Sequence, residues 1–397
     1  MNNGVIMSLP KVSVLIPSYN HEKYVKEAIE SVLNQTFQDF ELIITDDGST
    51  DGTVDKIKEF DDERIQLYVF DENQGACNAM NNCIKHAKGK YIAYISSDDV
   101  WETYKLEKQI NFIEKNPDIE VVFSKASFIG ENSELLDENS SSTEIYNLYK
   151  NIFDKKNRSK EEWLRRFFFS GNCICHPSIL IRKRVYDDVG LYDERLASVP
   201  DFDMWIRVCL KYEIHIMDEK LIRFRIRDNN ENISSPTQEN NQRIRFEQKQ
   251  ILNHYLEISN VSMFLKIFPK SEKYGKVTKE LIPYFLGRLA HERNIDFYKL
   301  WGLETIYNLM ESDEVSLLEE NGFKFRDFIK MTASTDIFHM YEIMALKSKL
   351  ESQRGKIKKQ EDLLENKNKK CNEMESSVSW KITKPVRKIG SFLRKIL

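Results

Sequence analysis

Between residues 11 and 125, short β-branched apolar runs alternate with stretches whose apolar residues recur every three or four positions. The runs at 12–17, 41–46, 65–70, 91–96 and 120–124 predict strands. Between them, Tyr24, Val25, Ala28, Ile29, Val32 and Leu33 repeat at helical spacing, as do Val54, Ile57 and Phe60, then Ala79, Met80, Cys83, Ile84 and Ala87. That alternation predicts a parallel sheet wound by helices, an α/β architecture of the nucleotide-binding kind.

Residues 130–160 are polar with little apolar periodicity and predict a surface excursion. A second block then follows: a strand over 174–181, a helix carrying Trp205, Val208, Cys209 and Tyr212, and a strand over 221–226. From 237 to 340 the pattern is helical, without hairpin signals. Over 341–376, Ile343, Leu350, Ile357, Leu364 and Cys371 fall seven residues apart, while the second seam holds Leu346, Gln353, Gln360, Lys367 and Met374. One apolar seam and one polar seam predict a coiled-coil-like helix able to form a homo-oligomer, or a lone solvated helix. Residues 377–397 mix Lys381, Lys384, Arg387, Lys388, Arg394 and Lys395 with Trp380, Ile382, Val386, Ile389 and Phe392 and hold no acid. Such a basic amphipathic tail suits an anionic membrane surface, or docking on its own protein. The expected division is 1–236, 237–340, 341–376 and 377–397.

Composition narrows the classes. Lys+Arg number 59 against 63 Asp+Glu, a formal charge of −4, which argues against a broadly basic nucleic-acid binder. No apolar run is long enough to cross a bilayer, and the N-terminus lacks the pattern of a secretory signal, so the expectation is a cytoplasmic protein, peripheral on the inner face of the membrane through its tail. The 6 cysteines are scattered, too sparse for a disulfide scaffold. Cys173, Cys175 and His176 lack a second Cys/His pair, so they read as buried apolar groups and not as a zinc site.

Three acidic clusters follow strands, where ligands of open parallel sheets bind. They are Asp46–Asp47, Asp98–Asp99, and Asp201 with Asp203 ahead of Trp205. Two adjacent carboxylates do little for a sheet but suit a hard divalent cation that completes its shell with phosphate oxygens. The first strand ends Pro17-Ser18-Tyr19-Asn20, so Tyr19 offers a stacking face and Asn20 a helix cap. Neither GxGxxG nor GxxxxGK[ST] occurs, so phosphates would be held by a metal. Among the histidines, only His176 is singled out, as an acceptor-site candidate.

The segments VSVLIPSYNHEKYVKEAIESVLNQTFQDFELIITDDGSTDGT, NQGACNAMNN and GKYIAYISSDDVW resemble, in order, the motifs of glycosyltransferase family 2, inverting enzymes of the GT-A fold; the resemblance covers about residues 10–230. It implies that Pro17, Tyr19 and Glu22 surround the nucleotide, that Asp47 hydrogen-bonds the base, that Asp98 approaches the ribose or a metal-bound water, and that Asp99 ligates Mn2+ or Mg2+. SVPDFDMWIRV resembles the element carrying the general base, which makes Asp201 the choice and Asp203 the alternative. Pro200 stands where a glutamate is frequent, and Met80 where an arginine often stands. LIRFRIRDNNENIS resembles the segment that closes over the diphosphate, with Arg225 and Arg227 as candidates. SVSWKITKPVRK resembles tails of bacterial sugar transferases that work at the membrane face.

The implied activity is transfer from a nucleotide-sugar donor, a UDP-sugar, to a hydroxyl of a glycan or lipid-linked acceptor in surface-polysaccharide synthesis. Two rivals stay open: a nucleotidyltransferase, which normally brings a glycine-rich basic loop that Ser18-Tyr19-Asn20-His21 does not supply, and a non-catalytic scaffold of the same fold.

Overall fold

A computed structural model describes residues 9–139, 143–227, 237–311 and 314–394. The expectations that fall on 1–8, 140–142, 228–236, 312–313 and 395–397 lie outside the described residues. The chain divides into two compact units, 1–325 and 326–397.

The first unit is built on one mixed sheet of eight strands: β1 (Val12–Ser18), β2 (Phe40–Asp46), β3 (Ile65–Val69), β4 (Tyr91–Tyr94), β5 (Val100–Trp101), β6 (Ile119–Ile129), β7 (Leu180–Arg182) and β8 (Glu213–Arg225). Their order is β3-β2-β1-β4-β7-β6-β8-β5. The pairs β1·β2, β1·β4, β2·β3 and β6·β8 are parallel, and β4·β7, β6·β7 and β5·β8 are antiparallel. β2 is buried at every position and β1 at all but one, because helices cover both faces, which is why these strands read as unbroken apolar runs. The helix Val25–Leu33 buries Val25, Ala28, Ile29 and Val32 against Val12, Val14, Ile16, Leu42 and Ile44. Burying such side chains contributes about 1.5–3 kcal/mol each. Glu41, a buried acid of β2, is fully engaged: it accepts from Ser13 Oγ at 2.6 Å, the Lys88 N–H at 2.6 Å and Gln66 Nε2 at 2.8 Å.

Three sequence expectations are corrected. Residues 130–160 are not only a surface excursion, since Thr143–Phe153 is a helix. Tyr146 packs edge-on to Phe128 with ring centres 5.6 Å apart, and Tyr149 lies 5.2 Å from Phe224. These aromatic contacts hold a helix whose periodicity is diluted by polar neighbours. The strand expected over 174–181 shrinks to β7, preceded by the 3-10 turn His176–Ser178. Pro177 has no N–H to give a strand paired on both sides. β8 begins at Glu213, earlier than expected, and runs through the polar Asp218–Lys220, where its register with β6 shifts.

Residues 237–325 are helical, as the absence of hairpin signals predicts, and belong to the same compact unit as the sheet. They comprise Gln238–Ile251, the 3-10 turn Leu252–Glu257, Val261–Ile267, the 3-10 turn Pro269–Tyr274, Ile282–His291, Asp296–Leu309 and Val315–Glu320. In the second unit, Met340–Ser376 is one continuous helix, followed by Val378–Ile382 and Lys384–Leu393. Ile343, Leu350, Ile357 and Leu364 are exposed along it. No helix among the described residues is long and apolar enough to cross a membrane.

Candidate active site

The chain at and just past the C-terminal ends of β2 and β4 carries the first two acidic clusters. After β2 the chain turns at Gly48, whose φ of 71° and whose position 2.5 Å (measured from an added Cβ) from the Glu72 backbone admit no side chain. This turn sets Asp47 beside the next loop, where its oxygens accept the Gln74 N–H at 2.7 Å and the Gly75 N–H at 2.9 Å. Burial pushes the Asp47 carboxyl up, and the two N–H groups pull against it. Each oxygen keeps a lone pair for a ligand.

The loop after β1 is stitched to the loop after β2. Asn20, at φ 50°, accepts the Thr50 N–H at 2.8 Å and donates its own N–H to Ser49 Oγ at 2.8 Å. Glu22 accepts the Gly52 N–H at 2.8 Å. Pro17 is half-buried in β1, and the Tyr19 ring is exposed, so its face is open to a planar ligand. Thus Pro17, Tyr19, Glu22 and Asp47 share one rim.

After β4, Asp98 and Asp99 are both buried. Asp99 Oδ1 accepts the Arg225 N–H at 2.8 Å, while Oδ2 is buried with no hydrogen-bond partner among the described residues. Burial and the neighbouring Asp98 charge hold the Asp99 carboxyl well above the usual range. A buried carboxylate oxygen without a donor is costly unless something positive meets it, so the donor chemistry fits a hard divalent cation. Among the described residues no group of three or more His, Cys, Asp or Glu could enclose a metal, so substrate oxygens and water would fill most of the shell.

Arg227 pairs with Asp98, Nε to Oδ2 at 3.4 Å, and its Nη1 lies 3.1 Å from His21 Nε2. His21 Nδ1 lies 2.7 Å from Ser97 Oγ. Because Arg227 can only donate, His21 Nε2 accepts and Nδ1 carries the proton. Burial lowers the His21 pKa and favours this neutral ring.

Arg225 is turned away from any cleft. Its guanidinium is fully buried and donates to the carbonyls of Asp98 at 2.6 Å, Gly130 at 2.9 Å and Glu131 at 3.1 Å, to Ser133 Oγ at 3.0 Å and to Glu27 Oε2 at 2.6 Å. It ties the Asp98–Asp99 turn to the end of β6 and to the helix Val25–Leu33 by meeting the Asp98 backbone carbonyl, whereas Arg227 meets the Asp98 carboxylate.

The helix Pro200–Lys211 separates the third cluster into two roles. Asp201 Oδ2 accepts from Asn172 Nδ2 at 2.7 Å and Oδ1 from the Phe202 N–H at 2.8 Å. Burial pushes its carboxyl up to about 6. Asp203, by contrast, is consumed by Arg207, with contacts of 2.8 and 2.6 Å, and by His254 at 2.7 Å. Trp205 is a core group, and His176 is half-buried against it. The His176 Nε2 lies 2.8 Å from the Tyr192 hydroxyl, and burial pushes its pKa down to about 3. The fully buried Trp205 indole packs edge-on to Phe123 and to His176, at 4.8 and 5.4 Å.

Two buried groups show that the clusters converge. The Tyr94 hydroxyl and the Cys175 thiol, both pushed up chiefly by burial, each feel the charges of Asp99 and Asp201. Asp99 and Asp201 are thus both within electrostatic reach of the same two side chains. Sequence reading missed His21, Asn172 and Glu27, for which no local motif exists; each is recruited by a partner far away in the chain.

The model of glycosyl transferase family 2 matches residues 13–190. The uncharacterized glycosyltransferase MJ1057 of Methanocaldococcus jannaschii is 36% identical over 230 residues, which cover 56% of this chain and 74% of that one. WfgD of Escherichia coli, a UDP-Glc:alpha-D-GlcNAc-diphosphoundecaprenol beta-1,3-glucosyltransferase, is 42% identical over 122 residues, covering 31% of this chain and about half (48%) of its own length. TarS 1–349 of S. aureus, solved in complex with UDP, is 19% identical with a TM-score of 0.49, covering 76% of this chain and 90% of that one. By its ordered motifs and its identity with MJ1057, the chain belongs to glycosyltransferase family 2.

Proposed function

We propose that this glycosyltransferase moves a sugar, with inversion, from a UDP-sugar to a hydroxyl of a glycan or lipid-linked acceptor in surface-polysaccharide synthesis. The observation that carries the reading is Asp201: a half-buried carboxylate that burial pushes up to about 6, its charge felt by Tyr94 and Cys175, which feel that of Asp99 too. A base works best with a pKa near the operating pH, and at neutral pH this one is mostly ionised yet still proton-hungry. It takes the acceptor proton as that oxygen attacks the anomeric carbon from the face opposite the departing diphosphate. Asp203, already bonded to Arg207 and His254, is not free for this task.

Pro17, Tyr19, Glu22 and Asp47 would hold the nucleoside, Asp98 its ribose, and Arg227 the diphosphate. Asp99 would hold the divalent cation, Mn2+ or Mg2+, which when bound supplies positive charge against the leaving diphosphate. The UDP-sugar and polysaccharide parts of the reading draw support from the similarity to WfgD, a UDP-Glc-dependent glucosyltransferase acting on a diphosphoundecaprenol-linked sugar. Family membership weighs against a nucleotidyltransferase, and the retained Asp47, Asp99 and Asp201 weigh against a scaffold.

The exposed Val378, Ile382, Val386 and Ile389, interleaved with Lys381, Lys384, Arg387 and Lys388, support docking of residues 377–397 on an anionic leaflet. The exposed seam of Met340–Ser376 supports self-association.

A panel of sugar nucleotides tests the reading, with free nucleoside diphosphate measured with and without chelator. Metal-dependent UDP release from one UDP-sugar is expected. Pyrophosphate release from a nucleoside triphosphate, or failure to bind UDP at all, would overturn it.

A further inference from the structure

The loop that presents Asp201 is held from outside the stretch matched by the family model. Helix Gln238–Ile251 carries Glu247, a carboxylate only 3% exposed. Its Oε1 accepts the Ala197 N–H at 2.9 Å, and its Oε2 accepts the N–H groups of Ser198 at 2.8 Å and Val199 at 3.0 Å. These residues lead directly into the helix Pro200–Lys211, whose own N-cap, Val199, provides no side-chain cap. Glu247 is thus a cap supplied by a distant element, and its negative charge suits the positive end of that helix. On the other flank of Asp201, Asp203 is bonded to His254, which lies in the 3-10 turn following the same helix. Residues 197–199 and 203 are therefore both tied to one segment, 247–254, with Asp201 between them.

Both Glu247 oxygens are spent on backbone N–H groups, so the side chain has no acid–base part of its own. We propose that Glu247 is a positioning residue for sugar transfer, fixing the loop 197–199 and through it the carboxylate of Asp201. This gives the helical region after 237 a part in the reaction, and it rests on reading Asp201 as the base.

Full-length Glu247→Gln, Glu247→Ala, Asp201→Asn and the Glu247→Gln/Asp201→Asn double variant test this, with turnover of the UDP-sugar expressed per UDP-binding molecule. Glu247→Gln keeps shape and one acceptor oxygen, so it remains informative should the alanine variant not fold. Misplacing a base by a fraction of an ångström costs about tenfold to a hundredfold in rate, so kcat is expected to fall by about tenfold in Glu247→Gln while UDP affinity and donor KM stay within about twofold. In the Asp201→Asn background the Glu247 change is expected to cost nothing more, as for groups acting as one unit. A wild-type kcat in Glu247→Gln beside an inactive Asp201→Asn would overturn the brace alone, as would kcat and UDP affinity falling together. An active Asp201→Asn protein would overturn the base assignment and the brace with it.

Discussion

Asn172 donates its side-chain amide to Asp201 Oδ2 at 2.7 Å, and its carbonyl oxygen accepts the Ile174 N–H at 3.1 Å, so the amide is oriented from both ends. Burial raises the Asp201 pKa to about 6, and the Asn172 bond is one of the contacts that keep it from rising further. The titratable groups that feel the Asp201 charge, namely Cys77, Tyr94, Cys175 and Tyr192, are all pushed up chiefly by burial and stay neutral across this range. Asn172→Ala is therefore expected to move the acid limb of the kcat profile to higher pH, by roughly one unit, the order of a lost hydrogen bond to a carboxylate. An unmoved limb would contradict this.

The same shift has a consequence for stability. Asp201 titrates higher in the folded chain than its ordinary value of 3.8. Its protonated form is the one folding favours, so its contribution is full below about pH 4 and is lost as pH rises through about 6. Asp201→Asn removes a charge that burial disfavours. Its melting temperature is expected to exceed that of the parent by an amount that grows between about pH 4 and 7. A gap independent of pH would show that Asp201 carries no such penalty.

Arg225 is where the Asp98–Asp99 turn is anchored. Removing it leaves several buried carbonyl groups and Glu27 without their donor. Arg225→Met is expected to cost about 3 kcal/mol or more in urea unfolding, since more than one buried carbonyl loses its donor at about 1–3 kcal/mol each. A loss below about 1 kcal/mol, within the range of an exposed pair, would mean the guanidinium is not the tie described.

The sheet half formed by β1 to β4 is legible in the sequence because its central strands β1 and β2 are buried on both faces and read as unbroken apolar runs, while the linking helices repeat their apolar residues at 3.6-residue spacing. The helix Thr143–Phe153 is not, since Tyr146, Tyr149 and Phe153 become a core face only once Phe128 and Phe224 arrive from elsewhere. The acidic positions of the site are legible as motifs at strand ends, yet their division of labour is not. Asp201 and Asp203 differ only because Asn172 meets one while Arg207 and His254 meet the other. Arg225 and Arg227 likewise look alike in the chain, and two positions apart in one strand they would share a face; but β8 ends at Arg225, and beyond that end Arg227 reaches Asp98 and His21 while Arg225 stays buried. Glu247 stands 48 residues from Val199 and carries no signal at all.

Asp99 supplies the test of metal use. Its Oδ2 has no partner among the described residues, so a cation is the group expected to meet it. In the intact chain Mn2+ is expected to tighten UDP binding relative to EDTA. In Asp99→Asn that gain is expected to shrink by about tenfold or more, as when a metal ligand or its support is lost. Equal metal dependence in both proteins would remove Asp99 from the metal's shell.

The most direct measurement is single-turnover transfer by Asp201→Asn under saturating UDP-sugar and acceptor, with UDP affinity measured on the same preparation. Unchanged UDP affinity with transfer reduced by about a thousandfold or more, the scale of general-base catalysis combined with loss of a positioned charge, is the predicted result. Transfer at a rate near that of the parent chain would contradict it and leave the acceptor proton without the base assigned to it.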